Sequence, residues 1–125
     1  MRNEEVFVPH DLKISPTYVP DLADETLNLL IDGEKGIIHL ANDGEVSWAE
    51  FALKAGLLAK QKLNMDLNLI RNKTSDEFAY HAKRPKYSVL KSERFTRLPL
   101  LDNALERYFN ELQVKLHFPQ AEMRI

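Results

Sequence analysis

The chain has 125 residues, of which 44% are apolar and 29% charged, with four glycines, six prolines and no cysteine. Seventeen basic and nineteen acidic residues leave a net charge of -2, so no basic field points to nucleic acid. The lack of cysteine excludes disulfides, thiolate metal sites and cysteine nucleophiles. No apolar run approaches the ~20 residues that cross a bilayer, and the first residues lack the apolar core of a signal peptide. We therefore expect one soluble, cytoplasmic domain over residues 1–125, with an ordered core at about 11–114 and a tail at 115–125.

The first helix is predicted to begin near Pro20 and Asp21 and to end before Gly33. Proline suits a first helical turn, aspartate complements the positive helix end, and glycine supplies a left-handed stop. Helical spacing assigns one apolar face to Leu22, Ala23, Thr26, Leu27 and Leu30. A short strand is then predicted over residues 36–41, which are too few and too rich in β-branched side chains for a helix.

The second helix has the strongest local pattern in the chain. Ser47 and Glu50 form a Ser-x-x-Glu capping box, and Val46 and Phe51 are spaced as a hydrophobic staple around it. These residues predict a helix over about 48–62. Its buried face is expected to consist of Trp48, Phe51, Ala52, Ala55, Leu58 and Ala59.

The second half of the chain is predicted to contain one strand, a long basic loop and one helix. The strand is expected over residues 67–70 and the irregular loop over 71–91. The helix is expected over about 99–114, with Leu101, Ala104, Leu105, Tyr108, Phe109 and Leu112 on one face. About three helices with two or three short strands indicate a small α/β or α+β domain.

The chain offers little of the usual catalytic chemistry. The four histidines are scattered without the spacing of a zinc site, and His39, inside the predicted strand, is interpreted as a core or sheet residue. No nucleophile elbow and no phosphate-binding glycine loop occur. Tyr87 and Lys91 match the Tyr-x-x-x-Lys of short-chain dehydrogenases, but Pro85 disfavours the helix that this chemistry needs, so we interpret the match as coincidence.

Two segments are candidates for binding a phosphate-bearing ligand. In residues 81–87, Arg84 could grip a phosphate through its fork, and Pro85 would hold Arg84 extended. The alternative is a solvated loop whose charges balance the acidic residues elsewhere. Before the first helix stand Ser15, Pro16 and Thr17, whose hydroxyls either contact a ligand or shape a turn.

Five segments, in order, resemble the dTDP-4-dehydrorhamnose reductases, a family of extended short-chain dehydrogenases. They are Ser-Pro-Thr-Tyr-Val-Pro-Asp-Leu-Ala at 15–23, Gly-Ile-Ile-His-Leu-Ala-Asn at 36–42, Val-Ser-Trp-Ala-Glu-Phe-Ala at 46–52, Ala-Lys-Arg-Pro-Lys-Tyr-Ser-Val-Leu at 82–90 and Leu-Leu-Asp-Asn-Ala-Leu-Glu-Arg-Tyr at 100–108. The resemblance is to the carboxyl-terminal, substrate-binding lobe of that family; the Rossmann half, with its glycine loop and catalytic Tyr-x-x-x-Lys, is absent. The chain departs from the family where Asp-Leu-Lys-Ile, beginning at Asp11, replaces the usual Asp-Gln-x-Gly.

The resemblance implies a lobe that binds a dTDP-sugar for reduction at its C4 ketone, in deoxysugar or rhamnose synthesis. The implied substrate-binding residues are Arg84, Ser15, Pro16, Thr17, Lys86 and Ser88. NADPH or NADH and the catalytic groups would belong to a Rossmann domain, so the chain by itself is expected to be inactive. We expect no nucleic-acid or membrane partner, and self-association through apolar surface left uncovered.

Three alternatives stay open at this point. The chain is either an expressed piece of a larger reductase, which we favour, or a natural short protein that serves as a non-catalytic ligand-binding or regulatory subunit. The third interpretation is a small helical interaction domain without a ligand.

Overall fold

A computed structural model describes residues 4–66, 69–94 and 98–117. Its elements, in chain order, are β1 (Val6–Pro9), β2 (Lys13–Ile14), α1 (Val19–Ile31), β3 (Asn42–Asp43), β4 (Val46–Ser47), α2 (Trp48–Leu63), β5 (Ile70–Lys73), a short 3-10 helix (Ser75–Glu77), β6 (Leu98–Leu100) and α3 (Leu101–His117). Within the described ranges the architecture is three α-helices with short paired strands. The predicted fold class is thereby confirmed.

The strands form three separate two-stranded sheets. β1 pairs with β5 in parallel, with Val6 opposite Ile70 and Pro9 opposite Lys73. β2 pairs antiparallel with β4, and β3 pairs in parallel with β6. Each sheet therefore pairs two strands that are distant from each other in the sequence.

Local signals explain where the helices begin. α1 has proline and Asp21 in its first turn, and Gly33 after its end has a φ of 70°. At the start of α2, the Ser47 hydroxyl accepts a hydrogen bond from the Glu50 amide at 3.1 Å. The observed bounds of α1 and α2 lie close to the predicted ones. α3 ends at His117, three residues beyond the predicted end at about 114.

The core lies between α2 and α3. Val46, Leu101, Leu105 and Phe109 form a buried cluster. Partly buried apolar side chains pack against this cluster, among them Ile14, Phe51, Ala55, Leu58, Ala59, Leu63 and Leu112. The predicted apolar face of α3 is thus buried or partly buried, apart from Tyr108, which is 46% exposed. On α2, Trp48 was expected to be buried but is 44% exposed.

Two local expectations are wrong. The strand expected over residues 36–41 is instead the two-residue β3 at Asn42–Asp43, because only there does this segment pair with a neighbour among the described residues. On α1 the buried residue is Leu29, whereas Leu27 and Leu30 of the predicted face are 58% and 70% exposed. The strand expected over 67–70 is seen at Ile70–Lys73, and residues 67 and 68 lie outside the described ranges, as do residues 118–125 of the expected tail.

Candidate functional site

The two segments singled out from the sequence lie side by side. The Lys13 amide donates to the Lys86 carbonyl at 2.9 Å, and the Ser88 amide donates to the Lys13 carbonyl at 3.0 Å. The Leu90 amide then donates to the Ser15 hydroxyl at 2.9 Å, and the Ser88 hydroxyl to the Lys13 carbonyl at 3.3 Å. The basic segment therefore runs parallel to β2 and is hydrogen-bonded to it. After β2 the chain continues into Ser15, Pro16 and Thr17.

Lys86 is held by two partners. Its ammonium lies 2.5 Å from Asp11 Oδ2 and 2.9 Å from Ser75 Oγ. The hydrogen bond from Lys86 holds the pKa of the Asp11 carboxyl well below its usual value, and Asp11 in turn raises the pKa of Lys86. Lys86 is therefore a fixed cation, unlike the mobile charge that an exposed lysine usually carries.

Arg84 stands two residues before this fixed cation and is exposed. Its guanidinium carbon lies 5.8 Å from the centroid of the Tyr80 ring, which stacks on Phe78 at 5.6 Å. Within residues 4–66, 69–94 and 98–117, no carboxylate pairs with Arg84. Its five donors are thus available to an anionic ligand.

Pro16 and Thr17 lead away from the basic segment into a cavity of about 740 Å³. The cavity lies between residues 16–20 and the helices α2 and α3, and apolar side chains such as Phe51, Leu105 and Tyr108 form most of its wall. At its rim the Tyr18 hydroxyl donates to Glu111, and this bond raises the pKa of Tyr18. Arg84, Lys86 and Ser88 do not line the cavity, so the predicted binding residues occupy two adjoining places rather than one.

Tyr87 and Lys91 are not on a helix. Tyr87 forms an isolated bridge with Lys13, and its hydroxyl donates to Glu45 at 2.5 Å. Residues 87–91 carry no helical turn. The interpretation of their Tyr-x-x-x-Lys spacing as coincidence agrees with this geometry.

His39 was expected inside a sheet or core, and that expectation is wrong. Its side chain is exposed and borders a smaller cavity of about 430 Å³ next to Leu90 and Arg94. The reason is that the strand expected around it does not form, so the residue lacks the sheet that would cover it.

A second polar cluster was not found from the sequence. Asn42, 1% exposed, accepts from the Tyr18 amide at 2.6 Å and donates to Asp21 and to the Pro99 carbonyl, both at 2.9 Å. Arg107 grips the Asp21 carboxylate with two bonds of 2.7 and 2.6 Å. The only sequence signal was the acidic residue in the first turn of α1, which we interpreted as complementing the helix end.

The described residues offer neither a metal site nor a dinucleotide site. No group of three or more His, Asp or Glu side chains within them could hold a metal ion. The three helices begin after Tyr18, Ser47 and Leu100, and no glycine-rich turn precedes any of them, so the residues present do not fit a dinucleotide pyrophosphate. In the same part of the chain, every helix is too short or too polar to cross a membrane.

Comparison with known proteins identifies the fold. A dTDP-4-dehydrorhamnose reductase of Bacillus anthracis, solved in complex with NADP, superposes with a TM-score of 0.75 at 35% identity, covering 86% of this chain and 38% of that one. A Clostridium acetobutylicum dTDP-4-dehydrorhamnose reductase superposes with a TM-score of 0.73 at 31% identity, covering 87% of this chain and 39% of that one. The fold is therefore that of the substrate-binding portion of this class of reductases.

The sequence comparisons agree. The family model described as RmlD substrate binding domain matches residues 1–114, and the chain belongs to that family. The spore coat polysaccharide biosynthesis protein SpsK of Bacillus subtilis is 36% identical over 87 residues, which are 70% of this chain and 29% of that protein. A probable dTDP-4,6-dihydroxy-2-methyloxan-3-one 4-ketoreductase of Streptomyces antibioticus is 33% identical over 124 residues, 94% of this chain and 41% of that protein. The resemblance drawn from five segments is confirmed, and the chain spans less than half the length of these relatives.

Proposed function

We propose that this chain forms the nucleotide-sugar-binding side of an NAD(P)H-dependent reductase of the dTDP-4-dehydrorhamnose type, in deoxysugar or rhamnose synthesis. The observation that carries the proposal is the attachment of residues 86–90 to residues 13–15, which sets the Arg84 segment beside Ser15. Membership of the substrate-binding family supports the same ligand class. A dTDP-sugar carries a diphosphate, which needs a cation, and a sugar, which needs hydroxyl and carbonyl partners.

Arg84 is proposed as the main diphosphate ligand. Its guanidinium is exposed and is not engaged by a carboxylate of the described chain. Pro85 restricts the backbone of Arg84 to extended conformations, so little backbone entropy is lost when the guanidinium binds. Two parallel N–H groups then match two phosphate oxygens.

The other proposed substrate-binding residues complete the surface around Arg84. Ser15 accepts from Leu90, so its own hydroxyl hydrogen is available to a ligand. Thr17 donates to the Ser15 carbonyl, which fixes the turn before α1. Pro16 stiffens that turn, and Lys86 and Ser88 hold the basic segment against it.

The reduction itself needs groups that this chain does not supply. NADPH or NADH would supply the hydride for the C4 ketone, and an attached Rossmann domain would bind it. The apolar stripe of Leu27, Leu30 and Ile31 on α1, 58–82% exposed, offers a surface for such a domain. We place the enzyme in the cytoplasm, which fits a sequence without cysteine.

The test is a titration of dTDP into the chain, followed by ¹H–¹⁵N NMR. We expect amide shifts in residues 13–17 and 84–90. Arg84→Ala should weaken binding about tenfold to a hundredfold, because hydrogen bonds to a charged group contribute about 1.5–3 kcal/mol. Lys83→Ala, which removes an exposed neighbouring cation, is the matched control and should change affinity by about twofold or less.

Three results would contradict the proposal. If millimolar dTDP shifts neither segment, the chain does not bind this nucleotide. If Arg84→Ala binds dTDP like the parent chain, the diphosphate ligand is another residue. NADPH oxidation by the 125 residues alone, with dTDP-4-dehydrorhamnose as substrate, would overturn the division of labour between the two domains.

A further inference from the structure

The Asp11 carboxylate joins three segments of the chain. One oxygen accepts from the Ser75 amide at 2.8 Å. The other accepts from the Ser75 hydroxyl at 2.8 Å and from the Lys86 ammonium at 2.5 Å. Asp11 itself follows β1, Ser75 opens the 3-10 helix, and Lys86 belongs to the basic segment.

These contacts close into a triangle. The Ser75 hydroxyl has one hydrogen, which it donates to Asp11, and its oxygen accepts from Lys86 at 2.9 Å. Ser75 is 8% exposed, and the Asp11 and Lys86 side chains are 21% and 51% exposed. Bonds to ionised partners inside a partly buried cluster are stronger than those between neutral groups.

The backbone on both sides of Asp11 is anchored as well. The His10 amide donates to the Lys73 carbonyl at 3.1 Å, and the Leu12 carbonyl accepts from the Trp48 amide at 3.3 Å. Asp11 therefore cannot follow Lys86 if the basic segment moves. The Asp11 carboxylate instead holds the Lys86 ammonium in a fixed position.

This arrangement restricts the position of Arg84. Only Pro85 separates Arg84 from Lys86, and the ring of proline fixes one of the two backbone angles of that residue. An ammonium held by Asp11 and Ser75 thus restricts where the guanidinium two residues earlier can reach. Without the Asp11 charge, the Arg84-Pro85-Lys86 segment is held by the backbone pairing and by the bond from Lys86 to the Ser75 hydroxyl.

We propose that Asp11 is a positioning residue for nucleotide-sugar binding, which acts through Lys86 to hold Arg84 towards the diphosphate; the inference rests on the proposed function. Asp11 does not touch the ligand, since a carboxylate would repel phosphate. Its partner Lys86 is largely neutralised by it, so Arg84 provides most of the attraction for the anion.

A double-mutant cycle tests this role. Asp11→Asn keeps an oxygen that can accept from Ser75 but removes the charge that holds Lys86. We expect it to weaken dTDP binding about fivefold in the parent chain, and to have no effect in an Arg84→Ala background, since contacting groups in one network are not additive. Asp24→Asn, which removes an exposed carboxylate on α1, is the control and should leave affinity unchanged in both backgrounds.

Amide hydrogen exchange provides a readout without ligand. In Asp11→Asn the Ser88 amide, which donates to Lys13, should exchange faster, while amides of α2 and α3 keep the parent rates. Unchanged exchange at Ser88, or a loss of dTDP affinity equal in both backgrounds, would overturn the positioning role while leaving the proposed function standing. Faster exchange in a chain that binds no dTDP would overturn the proposed function and, with it, the role of Asp11 in binding.

Discussion

Asn42 shows how one buried amide can connect distant parts of the chain. Its side chain links the residue before α1, the first turn of α1 and the strand β6 through three hydrogen bonds. Each partner lies at least 21 residues away in sequence. Because the amide is 1% exposed, water cannot replace these bonds when the side chain is removed.

Asn42→Ala is therefore expected to destabilise the chain by about 2 kcal/mol or more, since it leaves the Tyr18 amide, the Pro99 carbonyl and Asp21 without this partner. Urea denaturation measures the loss. Asn72→Ala, at an exposed position of β5, is the control and should change the free energy of unfolding by about 0.5 kcal/mol or less. Equal effects of the two substitutions would show that the Asn42 bonds add no stability.

The contacts of Asp21 predict how the free energy of unfolding depends on pH. The bidentate Arg107 contact, with the bond from Asn42, lowers the pKa of Asp21 below its ordinary value of 3.8. Because the pKa is lower in the folded state, the ionised carboxylate stabilises the fold fully at pH values above the pKa of the same group in the unfolded chain. This contribution is lost as the pH falls through the lower, folded-state pKa.

We expect the free energy of unfolding of the parent chain to fall below about pH 4, and to fall less steeply in Asp21→Asn, which is already weaker at neutral pH. Denaturation at a series of pH values measures both slopes. Asp24→Asn, exposed and three residues further along α1, should follow the parent slope. Parallel curves for the parent and Asp21→Asn would mean that the Arg107 contact is not coupled to folding.

Among the elements, α2 begins at a side-chain cap. The Ser47 hydroxyl caps the helix and is 2% exposed, and Val46 beside it belongs to the core cluster. The Glu50 side chain pairs with Lys13 at 3.2 Å. This pair also connects the start of α2 to β2, next to the proposed binding surface.

Ser47→Ala should destabilise the chain by about 1 kcal/mol, the usual cost of losing a helix cap. Ser92→Ala is a matched control, because the Ser92 hydroxyl oxygen is, within the described residues, the one buried side-chain polar atom that has no hydrogen-bond partner. Removing it should leave stability unchanged or raise it. Chemical denaturation measures the free energy of unfolding of both variants. A larger loss for Ser92→Ala than for Ser47→Ala would contradict the prediction.

At the scale of the whole molecule, apolar surface is left uncovered on α1. Leu27, Leu30 and Ile31 are 58%, 70% and 82% exposed, while the apolar face of α3 is buried against α2. Of the two apolar faces predicted for α1 and α3, that of α1 is the more exposed. A contiguous stripe of this kind favours contact with another protein surface.

We therefore expect the chain, in the absence of a partner domain, to self-associate at high concentration, and Leu30→Glu to shift it towards the monomer, because a buried unpaired charge opposes association. Sedimentation equilibrium measures the change. Gln61→Glu, an exposed position on α2, adds the same charge elsewhere and should have no effect. A monomeric parent chain at millimolar concentration would contradict the expectation.

The sequence by itself determined the three helices, the cap of α2, the α/β class and the family. These features depend on local spacing and on short motifs, which act within a few residues, so one-dimensional patterns carry them. Arg84, Ser15 and Ser88 were also available from the motifs, and their role in binding stays a prediction. The local patterns could not, however, show which of two apolar helix faces is covered.

Only the tertiary structure decided the contacts that join distant segments. Asp11 meets Lys86 across 75 residues, and Arg107 meets Asp21 across 86. It also decided that the strand near His39 shrinks to Asn42–Asp43, because a strand exists only where a neighbour offers hydrogen bonds. Side-chain pairs of this kind have no regular spacing along the chain, so a single sequence does not indicate them. They can be identified only after folding has brought the partners together.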